Sequence, residues 1–230
     1  MRKQIEDLRE KMREKKTDAY IIPTTDFHGS EYVNDYFKCR EFVSGFTGSA
    51  GTLVVTADAA ALWTDGRYFL QAESELAGSE IMLMREGEPD VPEITEWLRQ
   101  RLTSGKAQTV GFDGRIVSAK FGEKIKEHFN VEAELDLAGE IWAERPELMA
   151  SEIYPLGLGV TGESAESKLS RVREEMRKAG AEANIITSLE EIAWLFNLRG
   201  SDVLHTPVFY AFALIEHERA TIYLLNRAEK

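Results

Sequence analysis

Shifted by 164 residues, the sequence matches itself: residues 9–24 align with residues 173–188, and seven of the sixteen positions are identical. The shared residues are Arg9/Arg173, Glu10/Glu174, Met12/Met176, Arg13/Arg177, Ala19/Ala183, Ile21/Ile185 and Ile22/Ile186. In the first copy Ile5, Leu8 and Met12 recur at helical spacing and a short apolar run follows. In the second, Leu169, Val172 and Met176 do the same, and Gly180 supplies a helix stop. A solenoid needs several short repeats, so one long period predicts a duplicated domain.

The order of elements continues the likeness. After the first helix–strand unit comes a polar turn, residues 23–26, and an expected helix around residues 30–37. After the second, Ser188 and Glu191 form a capping box that opens a helix through Trp194 and Phe196. Each copy then shows a hairpin pattern, residues 52–56 with 60–64 and residues 208–215 with 220–225. The first copy goes on with helices over residues 68–76, 92–102 and 118–129, alternating with strands over 81–84, 109–113 and 131–135. This alternation predicts an α/β domain, a sheet flanked by helices. Residues 145–162 hold two of the six prolines and three glycines, which places a boundary near residue 155. The expected domains are therefore residues 1–155 and residues 156–230, the second truncated after its hairpin.

Composition excludes several function classes. The charge sum is −12, from 28 Lys and Arg against 40 Asp and Glu, with no basic block to bind nucleic acid. The longest apolar run, residues 208–215, is far short of the roughly 20 residues that span a bilayer. Residues 1–16 carry eleven charged side chains, which is no secretory leader. The single cysteine, Cys39, forms no internal disulfide, and together these features predict a cytoplasmic protein.

The motifs divide into structural and functional candidates. The four histidines, His28, His128, His205 and His217, show no metal-ligand spacing, so no metal site is expected in the chain. Gly45-Phe-Thr-Gly-Ser-Ala-Gly51 runs into a β-branched stretch, whereas a phosphate cradle opens a helix, so it reads as a tight turn. In Trp63-Thr-Asp-Gly-Arg-Tyr-Phe69, Asp65 and Gly66 suit a strand-to-helix corner. Arg67 there is placed either for a local contact or to grip a carboxylate or carbonyl. The polar loop from Asn197 to Pro207 carries Arg199, Asp202 and His205; His205 reads as a turn residue or a ligand contact. Ser201, Asp202 and His205 make no triad on sequence grounds, since triads are recognised by geometry.

Several blocks together carry a resemblance: Tyr20-Ile-Ile-Pro23, Phe42-Val-Ser-Gly-Phe46, Gly48-Ser-Ala-Gly-Thr52, Trp63 through Leu70, Ile141-Trp142, Arg145-Pro146, and Leu189 through Asp202. Their order resembles that of the cytosolic three-domain Xaa-Pro aminopeptidases, or aminopeptidases P. The resemblance covers nearly the whole chain. It implies two creatinase/prolidase-type N-terminal domains, each a mixed β-sheet flanked by helices. It also implies that catalysis belongs to a C-terminal "pita-bread" domain, absent here, in which two divalent metals, usually manganese, are held by Asp, His and Glu. On this resemblance Arg67 is a substrate contact and His205 lies in a segment facing the substrate. No catalytic residue and no bound cofactor are then expected in the chain. The expected partners are peptides with proline at the second position, with homodimer formation in the full-length enzyme. The alternative is a free-standing, non-catalytic peptide-binding or scaffold module.

Overall fold

The computed structural model describes residues 2–103, 107–148 and 150–225. It divides into two compact units, Met1–Pro146 and Glu147–Lys230. The division precedes the expected boundary near residue 155. The reason is local: Ser151 donates to Asp202, and Tyr154–Pro155 pairs with Leu198–Arg199, so these residues belong to the second unit.

The first unit runs α1 (Lys3–Lys15), β1 (Ala19–Pro23), a 3₁₀ turn (Asp35–Phe37), α2 (Cys39–Ser44), β2 (Thr52–Thr56), β3 (Ala60–Thr64) and α3 (Phe69–Glu75). It continues with β4 (Ile81–Arg85), α4 (Ile94–Arg101), β5 (Thr109–Phe112), α5 (Ala119–Lys126), β6 (Asn130–Glu132) and α6 (Leu137–Ile141). Among the described residues these strands make a six-stranded mixed sheet in the order β4-β3-β2-β1-β5-β6. The hairpin β2–β3 and the pair β1–β2 are antiparallel, while β3–β4, β1–β5 and β5–β6 are parallel. Period-two alternation sends Tyr20, Ile22, Leu53 and Leu62 to one face, under α1, α2 and α6. Ala19, Ile21, Val54 and Trp63 go to the other, under α4 and α5. Covering both faces explains why β1 and β3 read as continuous apolar runs.

One expected helix is displaced. Residues 30–37 hold only the 3₁₀ turn, and the helix follows as α2. Asp26 accepts the His28 and Ser30 amides and Asn34 accepts that of Tyr36, so side chains hold this stretch in turns.

The second unit runs β7 (Tyr154–Pro155), α7 (Leu158–Thr161), α8 (Ala165–Ala179), β8 (Ala183–Ile186), α9 (Leu189–Leu195), β9 (Leu198–Arg199), β10 (Ala211–Glu216) and β11 (Ala220–Leu224). Its larger sheet has the order β11-β10-β8. The Ser188 hydroxyl caps α9 by accepting the Glu191 amide at 3.3 Å. The expected strand over residues 208–215 begins only at Ala211, because the Tyr210 amide is drawn to Asp202 at 2.8 Å.

The two units repeat one design in detail. After α1 the Thr17 amide reaches Met12 O at 2.9 Å, and after α8 the Ala181 amide reaches Met176 O at 2.9 Å. Both closures need a left-handed residue, Lys16 (φ 58°) in one and Gly180 (φ 67°) in the other. β1 meets β2 through Ala19↔Thr56, and β8 meets β10 through Ala183↔Glu216. The repeated arginine locks this corner each time: Arg9 Nε donates to Thr56 O at 2.9 Å, and Arg173 Nε donates to Glu216 O at 2.8 Å.

Candidate functional site

The corner between β3 and α3 presents Arg67. Trp63, the penultimate residue of β3, is fixed by its indole N–H on Pro92 O at 2.8 Å and by an edge contact with Trp97. Thr64 Oγ1 donates to Ala50 O at 2.7 Å, tying the corner to the glycine loop. Asp65 then accepts the Arg67 amide and Nε, each at 3.0 Å, and Nη2 at 2.8 Å. These bonds hold the Asp65 carboxyl below its usual range and raise the affinity of Arg67 for its proton. The guanidinium lies 5.2 Å from the Tyr68 ring centroid and 4.0 Å from Glu31, with its side chain 61% exposed. It is a charged fork fixed in direction and open to solvent.

The Asp–Arg pairing is not itself a mark of function. Asp113-Gly-Arg115, after β5, makes the same three bonds at 3.0, 2.9 and 2.7 Å. Both Asp-Gly-Arg segments that leave a strand here close on themselves. The two differ in how near a second carboxylate comes: Arg115 also hydrogen-bonds Asp136 at 3.1 Å, while Arg67 lies 4.0 Å from Glu31.

Behind the corner, residues 45–51 lead into β2, as a tight turn would. Gly45 takes φ 71°, and a Cβ on Gly51 would sit 2.9 Å from Trp63 O, so both glycines are required by the backbone. Buried Arg40 fills the loop, donating to Thr24 Oγ1 at 2.8 Å and to the carbonyls of Phe46 and Gly48. Burial lowers its pKa to about 10, still fully charged at neutral pH. Ser49 Oγ and Tyr68 OH share a hydrogen bond of 2.6 Å, so Arg40, the loop and the Arg67 corner form one connected network. Sequence reading missed Arg40, because a basic residue in a short helix looks like a solvated face.

In the second unit Asp202 turns inward, accepting the Ser151 amide and hydroxyl, each at 2.6 Å, and the Tyr210 amide. Lys168 is also buried, donating to Trp194 O at 2.8 Å and Asn197 Oδ1 at 2.7 Å. His205 is exposed at φ 62° in a turn closed by the Thr206 amide on Val203 O. The loop is thus held by Asp202 and Asn197, with His205 at its surface. Arg67 and His205 belong to different units.

Among the described residues no three or more His, Cys, Asp or Glu are grouped to hold a metal ion. No helix among them is long and apolar enough to cross a membrane.

Comparison with known proteins gives a consistent picture. The chain is 46% identical over 217 residues to Aminopeptidase P2 of Arabidopsis thaliana, covering 91% of this chain and 30% of that protein. It is 38% identical to Xaa-Pro aminopeptidase 1 of Dictyostelium discoideum, covering 96% and 37%. Among solved structures it matches the cytosolic, di-nuclear X-prolyl aminopeptidase of Caenorhabditis elegans with a TM-score of 0.88 at 30% identity, covering 97% of this chain and 38% of that one. The chain spans about a third of the length of these relatives. The Creatinase/Prolidase N-terminal domain family matches residues 4–146, and a second family of that description matches residues 144–229. With both units matched, the chain belongs to the creatinase/prolidase N-terminal domain family.

Proposed function

We propose that this chain is the non-catalytic N-terminal portion of a metal-dependent Xaa-Pro aminopeptidase, which removes an N-terminal residue preceding proline. The observation that carries the reading is the collinear match to Xaa-Pro aminopeptidases over nine-tenths or more of the chain. A peptide bond before proline is a tertiary amide with restricted geometry, so its hydrolysis rewards a site that fixes the peptide on both sides. In this reading Arg67 grips a carbonyl or the terminal carboxylate of the peptide, and His205 contributes from the second unit. The two units are its first two domains, which restrict access to small peptides and help pair subunits into a homodimer in the cytoplasm. The described residues do not fit the centre of two divalent metals, manganese among the candidates, that the family resemblance implies. No step of hydrolysis is therefore assigned to them.

The test is Arg67→Ala in the peptidase that carries this chain. Loss of a charged hydrogen bond to substrate lowers kcat/KM by about ten- to a hundredfold, with metal content unchanged. Unchanged kcat/KM would contradict the role.

A further inference from the structure

Tyr68 stands at the head of α3, next to Arg67, and is half-buried against the core. Its backbone is pinned inside the corner: the amide donates to Asp65 O at 3.0 Å, and the carbonyl accepts the Ala72 amide at 2.8 Å. Its ring meets the fully buried Phe46 edge-on, with centroids 6.1 Å apart. Its hydroxyl shares the 2.6 Å hydrogen bond with Ser49 Oγ. The far end of that bond is held as well. Glu75 accepts the Thr47 amide at 2.8 Å and the Thr47 hydroxyl at 2.6 Å, and Gln71 donates to the same hydroxyl at 2.8 Å. Arg40 donates to Gly48 O and Thr64 to Ala50 O, so Ser49 sits between tethered neighbours. The ring is therefore fixed at both ends, and the Arg67 guanidinium lies over it.

The second Asp-Gly-Arg shows what the ring adds. Asp113 clasps Arg115 in the same way, but Ile116 follows it, and the guanidinium is steadied by Asp136 and by Phe27, whose ring centroid is 5.4 Å away. At the first corner Asp65 takes Nε and Nη2 of Arg67, and Nη1 lies 4.0 Å from Glu31. The support there comes from the adjoining residue. We propose that Tyr68 is the positioning residue of Arg67: tethered to Ser49, its ring holds the guanidinium in the direction in which it meets the peptide. An arginine side chain has many rotamers, and ordering one on binding lowers affinity. A ring locked through its hydroxyl, together with the aspartate clasp, restricts those rotamers before the peptide arrives. The inference rests on the reading of Arg67 as a substrate contact.

The experiment is a set of variants in the peptidase that carries this chain, assayed on a Xaa-Pro-Xaa peptide: Tyr68→Phe, Ser49→Ala, Arg67→Ala, and each of the first two combined with Arg67→Ala. Tyr68→Phe keeps the ring and its core contacts and removes only the tether; Ser49→Ala removes the tether from its other end. Each should lower kcat/KM about three- to tenfold, through the same parameter, kcat or KM, that Arg67→Ala changes. Neither should lower it further once Arg67 is absent. An equal loss with and without Arg67 would make the hydrogen bond a general support of the fold and overturn the proposal. Unchanged kinetics in Tyr68→Phe, beside a loss in Arg67→Ala, would overturn it too and leave the role of Arg67 standing. If Tyr68→Phe does not fold, Ser49→Ala decides by the same criteria. If Arg67→Ala itself has no effect, the substrate-contact reading fails and this inference fails with it.

Discussion

Arg67 and Arg115 show how little an isolated residue reveals. Both leave a strand within Asp-Gly-Arg and both are held by the aspartate two residues before, yet Arg115 also hydrogen-bonds Asp136 at 3.1 Å, whereas Arg67 comes no nearer than 4.0 Å to Glu31. Sequence reading singled out the first because a guanidinium at a strand-to-helix corner is placed to grip a carboxylate or carbonyl, and gave no notice to the second. Lys16 is a residue whose cost is legible once the duplicate is known. It adopts the left-handed conformation for which Gly180 serves in the second unit. Lys16→Gly is expected to stabilise the first unit by about 0.5–1 kcal/mol, read as a raised denaturation midpoint. Cys39 is buried, and burial pushes its thiol up to about 12. Thiolate is the reactive form, so iodoacetamide at pH 8 should leave Cys39 unlabelled in the folded chain and label it rapidly in denaturant.

At the scale of elements, the repeated helix–strand unit was visible because a helical period of 3.6 and a short apolar run adjoin at the same offset, with seven identities. The hairpin 52–64 was equally visible, its turn set by Thr56 and Ala59. The helix expected over residues 30–37 failed because Asp26 and Asn34 satisfy backbone amides with side chains, and no spacing rule reveals that competition. Nor does periodicity reveal burial: Ile21 and Ile185 are identical in pattern and opposite in surroundings. The consequence is measurable. Ile21→Ala should cost about 2–5 kcal/mol by opening a cavity between sheet and helices. Ile185→Ala should stay within about 0.5 kcal/mol, both by denaturant unfolding of the 230-residue chain. Equal costs at the two positions would mean that Ile185 is covered.

At the scale of the whole molecule, duplication, fold class and the family blocks were all readable, since each rests on many residues in order. The division between the units was read late because proline and glycine mark a flexible stretch, while the contacts that end a unit come from distant partners such as Asp202. The central claim is that these two units serve peptide hydrolysis without performing it. It is tested by incubating purified residues 1–230 with a Xaa-Pro-Xaa peptide and excess manganese, and detecting the freed amino acid by chromatography. No release is predicted, with or without the metal, because no three or more His, Cys, Asp or Glu among the described residues are grouped to hold a metal that would activate a water. Metal-dependent, chelator-sensitive release by this chain, with contaminating peptidases excluded, would contradict it.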